Sequence, residues 1–384
     1  MLLESDFPPD TRVENEISAL LEAGHSIHIA CYSHDREPTV PENLPYVIHK
    51  HYIPPLVYKA SVGALKSSIY FNYWRRILKK IFTVHQFDAI HVHDLPLARI
   101  GYETGQHYGI RFTLDLHENW PALLSISTHT NTPLGKLLSS TQQWIAYEKR
   151  YVVLADDVIV VVEEARKRMM ELGAEPAKVH VVSNTLNLDE FNFPDQEKDP
   201  THVTLVYGGG VNFHRGIQTV IRELKIIPPK IPNIRVWIIG PGSYLEPLKK
   251  LARELEVEKY VHFFGWMNRQ ELLMRISRAD VALIPHIKSP HTDSTVPHKL
   301  FQYMYAGIPI LSSNCAPLER IVKETSTGLI FKNQDPESFA ESLIRLLSDP
   351  DFLKQIPENG RKMVEEKYNW NRDAEMLTSL YSGS

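Results

Sequence analysis

The chain reads as an α/β protein made of two doubly wound units. Two observations predict this. Short apolar, β-branched runs alternate with amphipathic helical stretches from one end to the other, the pattern of parallel strands covered by helices. A polar, proline-bearing stretch at 187–202 has neither a helical nor a strand period, and it splits the runs into two groups of similar size. A length of 384 residues agrees with two domains, since one domain typically takes ~100–200 residues.

Each element follows from its own residues. Strands are expected at 27–32, 89–93, 112–116, 158–162 and 179–183 in the first half. In the second half they are expected at 203–207, 234–239, 261–264, 281–285 and 308–312. Their near-continuous apolar runs suit parallel strands buried on both faces. Helical periodicity marks 13–22, 134–151, 217–227 and 244–255, and 370–381 reads as a last helix. The expected organisation is a first domain over 1–190, a linker over 191–202, a second domain over 203–366 and a terminal segment over 367–384.

Composition excludes several function classes. Net charge is −4, from 42 basic and 46 acidic side chains, which is no footprint for nucleic-acid binding. The two cysteines, Cys31 and Cys315, lie in opposite halves and form no CxxC pair, so neither a disulfide framework nor a cysteine zinc site is expected. No apolar run reaches the ~18 residues of a membrane span, and no secretory leader is legible at the start. The expected location is the cytoplasm or the cytoplasmic face of a membrane. The 18 histidines are scattered, with no HExxH spacing.

In open α/β sheets, ligands bind beyond the carboxyl ends of strands. The strand 203–207 runs into Gly208-Gly209-Gly210, then Arg215-Gly216 and a helix. Glycines there let the backbone approach a ligand closely. The helix start and Arg215 favour an anion such as a phosphate. The loop is neither a GxGxxG nor a Walker motif, and a structural turn with a solvated arginine would read the same way.

After the strand 281–285, Ser294-Thr295-Val296-Pro297-His298-Lys299 reads as a hydroxyl-capped helix start with proline in its first turn. Gly307 marks its end. Lys299, Gln302 and Tyr303 share one stripe of that helix. Two anion-friendly helix starts in one domain favour a diphosphate ligand. His117-Glu118 follows the strand 112–116 and precedes Pro121. A histidine there either bonds a ligand or is satisfied by Glu118.

The stretch 294–309, ending Gln-Tyr-Met-Tyr-Ala-Gly-Ile-Pro, resembles the signature of glycosyltransferase family 4. The likeness extends over nearly the whole chain: Phe7-Pro-Pro-Asp-Thr-Arg12, His91-Val-His93-Asp94, Asp115-Leu-His117-Glu118, and 316–319 fall in family-like order. It implies the GT-B fold, two Rossmann-like domains facing a cleft, with a C-terminal helix returning to the first. It also implies a retaining, metal-independent transfer from a nucleotide diphosphate sugar to a saccharide or lipid-linked acceptor. Carried over by position, the donor side comprises Gly209, Gly210, Arg215, Gly216, Ser294, Thr295, Val296, Lys299 and Gln302. The catalytic residues are His117 and Glu118, and the acceptor side is Arg12, His93 and Asp94. The family pattern is departed from in two places: Gly210 and Arg215 stand where an arginine and a lysine are common, and Ser294 and Gln302 stand where two glutamates are. A sugar-nucleotide epimerase and a non-catalytic sugar-nucleotide-binding subunit fit the same features.

No Asp-x-Asp strand end is present, and Asp156-Asp157 and Asp293 lack a partner at ligand spacing, so no metal is expected. The aromatic, basic segment 69–82 either lies on an anionic membrane face or packs its apolar side inward.

Overall fold

The computed structural model describes residues 1–126, 139–194 and 196–382. The chain forms two compact units: residues 1–183 with 373–384, and residues 184–372.

In the first unit, β3 (Ala89–His93), β4 (Arg111–Leu116), β5 (Asp157–Val160) and β6 (Val179–Val181) form a parallel sheet in that order. β1 (His28–Ser33) pairs in parallel with β2 (Val47–Tyr52). Leu2 bridges β1 to β3, donating to His91 O at 2.8 Å and accepting from His93 N at 3.0 Å. The polar strand β2, with two histidines and a lysine, was not expected from the sequence, because it lacks the apolar run of a central strand.

The second unit holds a six-stranded parallel sheet. Its strands are β7 (Val203–Gly208), β8 (Ile234–Ile239), β9 (Val261–Gly265), β10 (Val281–Ile284), β11 (Ile310–Ser313) and β12 (Gly328–Phe331). They run in the order β12-β11-β10-β7-β8-β9. The order reverses at β7, which pairs with both β8 and β10. The carboxyl ends of β7 and β10 therefore flank the topological switch point, where doubly wound folds bind ligands.

The stretch expected as a free linker lies along the second unit instead. Its Phe191 ring carries the Arg269 guanidinium 4.1 Å from its centroid, and the Phe193 and Tyr305 rings lie 6.1 Å apart. The chain thus leaves the first unit at Ser183, ahead of the expected boundary, and rejoins it at Asp373 within the helix Trp370–Ser379. In the first unit the returning segment is tied by Tyr381 Oη to His91 Nδ1 at 2.8 Å and by Ser183 N to Asp373 at 3.0 Å. The expected helix 134–151 is observed as Thr141–Leu154, and its first part lies outside the described residues.

The helix Ile69–Val84 settles its two readings. Tyr70, Phe71, Trp74, Ile77, Leu78 and Ile81 are buried, so its aromatic side is core, while Arg76, Lys79 and Lys80 face water. No helix among the described residues is long and apolar enough to cross a membrane.

Candidate anion site and histidine cluster

The second unit's candidate site grows from the ends of β7 and β10. β7 ends at Gly208, whose N–H donates to Tyr303 Oη at 2.9 Å. Gly209 follows at φ +124°, and a Cβ there would meet Lys299 Nζ at 2.9 Å, so the lysine lies directly against the Gly209 backbone. Lys299 also projects over the Tyr207 ring, 3.7 Å from its centroid. The residue is half-buried overall, but its ammonium is wholly covered and has no hydrogen-bond partner. Burial, then the nearby Arg215, hold its pKa well below the ordinary lysine value.

Arg215 supplies the second cation. Its Nε is buried without a partner, and one terminal nitrogen donates to His286 Nε2 at 3.3 Å. That bond places the imidazole proton on Nδ1. His286 is buried and held well below the usual histidine pKa by burial and by Arg215. Burial and Arg215 likewise push His214 and His291 down to about 4. Neutral imidazoles thus surround two cations. Among the described residues, no ion pair reaches Lys299. An unpaired buried charge is costly, so this pocket is chemically matched to an anion.

Gly216 has a backbone role. At φ +73° it packs so closely that an added Cβ would lie 1.7 Å from Pro285 O. This contact joins the Arg215 turn to the end of β10. Gly216→Ala should cost at least about 2 kcal/mol, from strain plus backbone displacement. A thermal melt checks this, and an unchanged melting temperature would contradict it.

The expected helix start needs correction. The helix runs Lys299–Tyr305, later than the sequence indicates, and no side chain caps it. Ser294 Oγ donates instead to Pro290 O at 2.8 Å, and Thr295 Oγ1 donates to His291 O at 3.4 Å. Both hydroxyls turn back onto their own loop, an alternative that serine and threonine readily take. Val296 is buried. Gln302 bonds through Nε2 to His298 Nδ1 at 3.1 Å. Gly210 is exposed, and its carbonyl accepts from Tyr207 Oη at 2.7 Å.

The first unit carries a separate cluster at the ends of β3 and β4. Asp115, fully buried, accepts from Arg12 at 3.0 and 3.3 Å and from His117 Nε2 at 2.8 Å. Burial opposes ionisation of Asp115, but Arg12 and His117 together hold its pKa well below the ordinary value. Burial would lower His117 too, yet Asp115 lifts it to about 9, so it is an imidazolium at neutral pH. His117 keeps 19% of its side chain exposed. Its carboxylate neighbours are Asp115, at 2.8 Å from Nε2, and Asp94, at 3.9 Å from Nδ1, while Glu118 is exposed.

Arg12 and His93, expected on an acceptor side, are buried, at 7% and 3% exposure. Arg12 ties Asp115, Glu16 and Val182 O together, and His93 Nδ1 lies 3.3 Å from Asp115. They hold this network from within. Asp94 does reach the surface at 40% exposure, in the left-handed conformation at φ +65°. Glu16, His93, Asp115 and His117 could offer four donor atoms within 4.8 Å of one another. Arg12 and His117 already balance the Asp115 charge.

Sequence reading missed His286, His214, His291 and Asp115 as members of these sites. His286 follows an expected strand end directly, and Asp115 lies in the family-like stretch Asp115-Leu-His117-Glu118, but the sequence assigns neither to a site.

Comparison with known proteins identifies the family and the fold. The model of glycosyl transferases group 1 matches residues 189–363, and that of glycosyltransferase family 4 matches residues 10–190. An uncharacterized glycosyltransferase of Methanocaldococcus jannaschii is 26% identical over 313 residues, 78% of this chain and 76% of its own. The structure of a sucrose-phosphate synthase from Thermosynechococcus elongatus superposes with TM-score 0.77 at 20% identity, covering 99% of this chain and 94% of that one. The Anabaena protein HepE in complex with UDP superposes with TM-score 0.73 at 12% identity, covering 100% and 99%. With the two family models adjoining and the GT-B fold shared throughout, the chain belongs to glycosyltransferase family 4 and is a glycosyltransferase.

Proposed function

We propose that this glycosyltransferase moves a sugar from a nucleotide diphosphate sugar to an acceptor hydroxyl with retention of configuration. The carrying observation is the covered, unpartnered Lys299 ammonium beside Arg215. A diphosphate supplies the missing anion. In the transfer, the bond from the anomeric carbon to the phosphate oxygen breaks and the bond to the acceptor oxygen forms on the same face. The acceptor proton goes to the departing phosphate oxygen. Lys299 and Arg215 stabilise the charge that builds on that phosphate, the most effective place for fixed cations. Gln302 retains its amide oxygen for the donor's ribose. His117, as an imidazolium, donates to the transferring sugar. Support for the donor class includes the UDP complex of HepE.

The acceptor we propose is a cell-surface polysaccharide or glycolipid intermediate reached at a membrane. The supporting feature is the segment before the helix 69–84 together with that helix's first residue. Leu56 at 74%, Tyr58 at 44%, Val62 at 40% and Ile69 at 49% expose apolar surface next to the exposed Lys59. Such a pattern suits an anionic lipid interface. Leu56→Asp with Ile69→Asp should abolish sedimentation with anionic vesicles. Equal sedimentation of wild type with neutral vesicles, or no effect of the variants, would remove the membrane from this reading.

The direct test of function is a thermal-shift screen against UDP-, GDP- and ADP-sugars, followed by an assay for release of the nucleoside diphosphate. A ligand at 100 times its dissociation constant adds about 2.7 kcal/mol of stability. No stabilisation by any sugar nucleotide would reject the donor class. Two cations at the leaving group take the place of a divalent ion, so a chelator should leave turnover within about twofold. Turnover abolished by chelator and restored by manganese would contradict this.

A further inference from the structure

Three histidines far apart in sequence meet in the first unit, away from the Asp115 network. His28 opens β1, His49 lies on β2 and His85 follows the helix Ile69–Val84. The parallel register sets His28 opposite Val47 and His49 opposite Ala30, so both imidazoles project from one face, one step apart. The His85 ring centroid arrives 4.6 Å from that of His28 and 5.5 Å from that of His49. His28 Nδ1 and His49 Nε2 are 3.0 Å apart. One nitrogen of each ring lies within 4.8 Å of the other two. A tetrahedral ion about 2.0–2.1 Å from each nitrogen needs separations of roughly 3.3 Å. Small side-chain rotations therefore suffice to close the set.

All three residues are half-buried, and Phe87 packs edge-on against His28 with centroids 5.1 Å apart. His28 and His49 also line a cavity of about 390 Å³, whose further polar lining includes His25, Gln86 and Asp88. Without an ion, three partly desolvated rings gather around a single hydrogen bond between two of them.

We propose that His28, His49 and His85 bind a divalent transition metal of the zinc type, with a fourth position open to the cavity for water or a small anion. Three imidazoles with no carboxylate in the set suit zinc, copper or nickel and not magnesium or calcium, which take oxygen ligands. The site serves stability and not transfer: among the described residues Leu2 is the backbone bridge from the β1–β2 pair to β3, and an ion would tie the edge of that pair to the helix end. Metal removal should thus lower the melting temperature while turnover below the melt persists.

The test is titration of the chelator-treated full-length chain with cobalt, read by visible absorption, then competition with zinc. One equivalent should give the intense bands of tetrahedral cobalt, and zinc should bleach them. His49→Gln and His85→Gln should each weaken zinc binding at least about tenfold, since losing even an outer partner of a metal ligand costs about 10–100-fold. His117→Gln should not weaken it. His85 lies beyond the helix end, so His85→Gln carries the test if His49→Gln fails to fold. Absence of tetrahedral bands, or binding untouched by His85→Gln, would overturn the proposal. So would loss of binding in His117→Gln, which would place the ion in the Asp115 cluster.

Discussion

Lys299→Met should weaken binding of the sugar nucleotide by roughly 10–150-fold, while the melting temperature of the free protein stays level or rises. The first half follows from losing one charged hydrogen bond to the diphosphate, worth about 1.5–3 kcal/mol. The second half follows from burial. The Lys299 ammonium is covered, without a hydrogen-bond partner, and close to another cation. Replacing such a charge by a side chain of similar length and no charge relieves desolvation and repulsion in the empty site. Only the Tyr207 ring partly offsets this, through a cation–π contact of about 0.5–2 kcal/mol. Arg215→Ala should cost comparable affinity. A merely structural lysine would give the opposite pair of results: normal affinity by calorimetry and a lower melting temperature.

His117→Ala should lower kcat by roughly 10²-fold or more, the range of groups that act on the reacting centre, while the donor KM moves little. The imidazolium is oriented by Asp115 at 2.8 Å, which Arg12 in turn fixes at 3.0 Å. A charge held there contributes most when the substrate itself becomes charged. The histidine also has a stability signature. Its folded pKa, about 9, lies above the ~6.5 of a free imidazole. Its pairing therefore stabilises the fold fully below about pH 6.5, and that contribution is lost as pH rises through about 9. Wild type should lose its stability advantage over His117→Gln across that window. Normal single-turnover rates in a destabilised variant would assign His117 to structure alone.

The legibility of this chain in its sequence follows burial. Central strands such as β3, β7, β8 and β10 are continuous apolar runs and were readable to within a residue or two. β2 and β12 were not. They lie at sheet edges, and one is polar while the other is four residues beginning with glycine. Gly209, Arg215 and Lys299 stand out because each follows a strand end, and the structure brings them together. The helix start at Lys299 was misplaced, because Ser294 and Thr295 satisfy their own loop carbonyls and a capping reading cannot distinguish the two. The pairing of His117 with Asp115 has a geometric reason. Residues two apart along an extended chain face the same side, so Asp115 at the end of β4 reaches His117. The histidine trio of β1, β2 and the helix end has no sequence spacing at all, since only the register of two edge strands assembles it.

The most direct test of the diphosphate site is calorimetric titration of the sugar nucleotide found by screening, at several pH values and in two buffers of different ionisation enthalpy. Lys299 has its pKa held well below the ordinary lysine value when the site is empty. A bound diphosphate must raise that pKa, so, across a series of pH values, proton uptake on binding should appear in wild type over the range in which Lys299 titrates and be absent in Lys299→Met. Equal proton exchange in the two proteins, with equal affinity, would contradict the assignment of Lys299 to the leaving diphosphate.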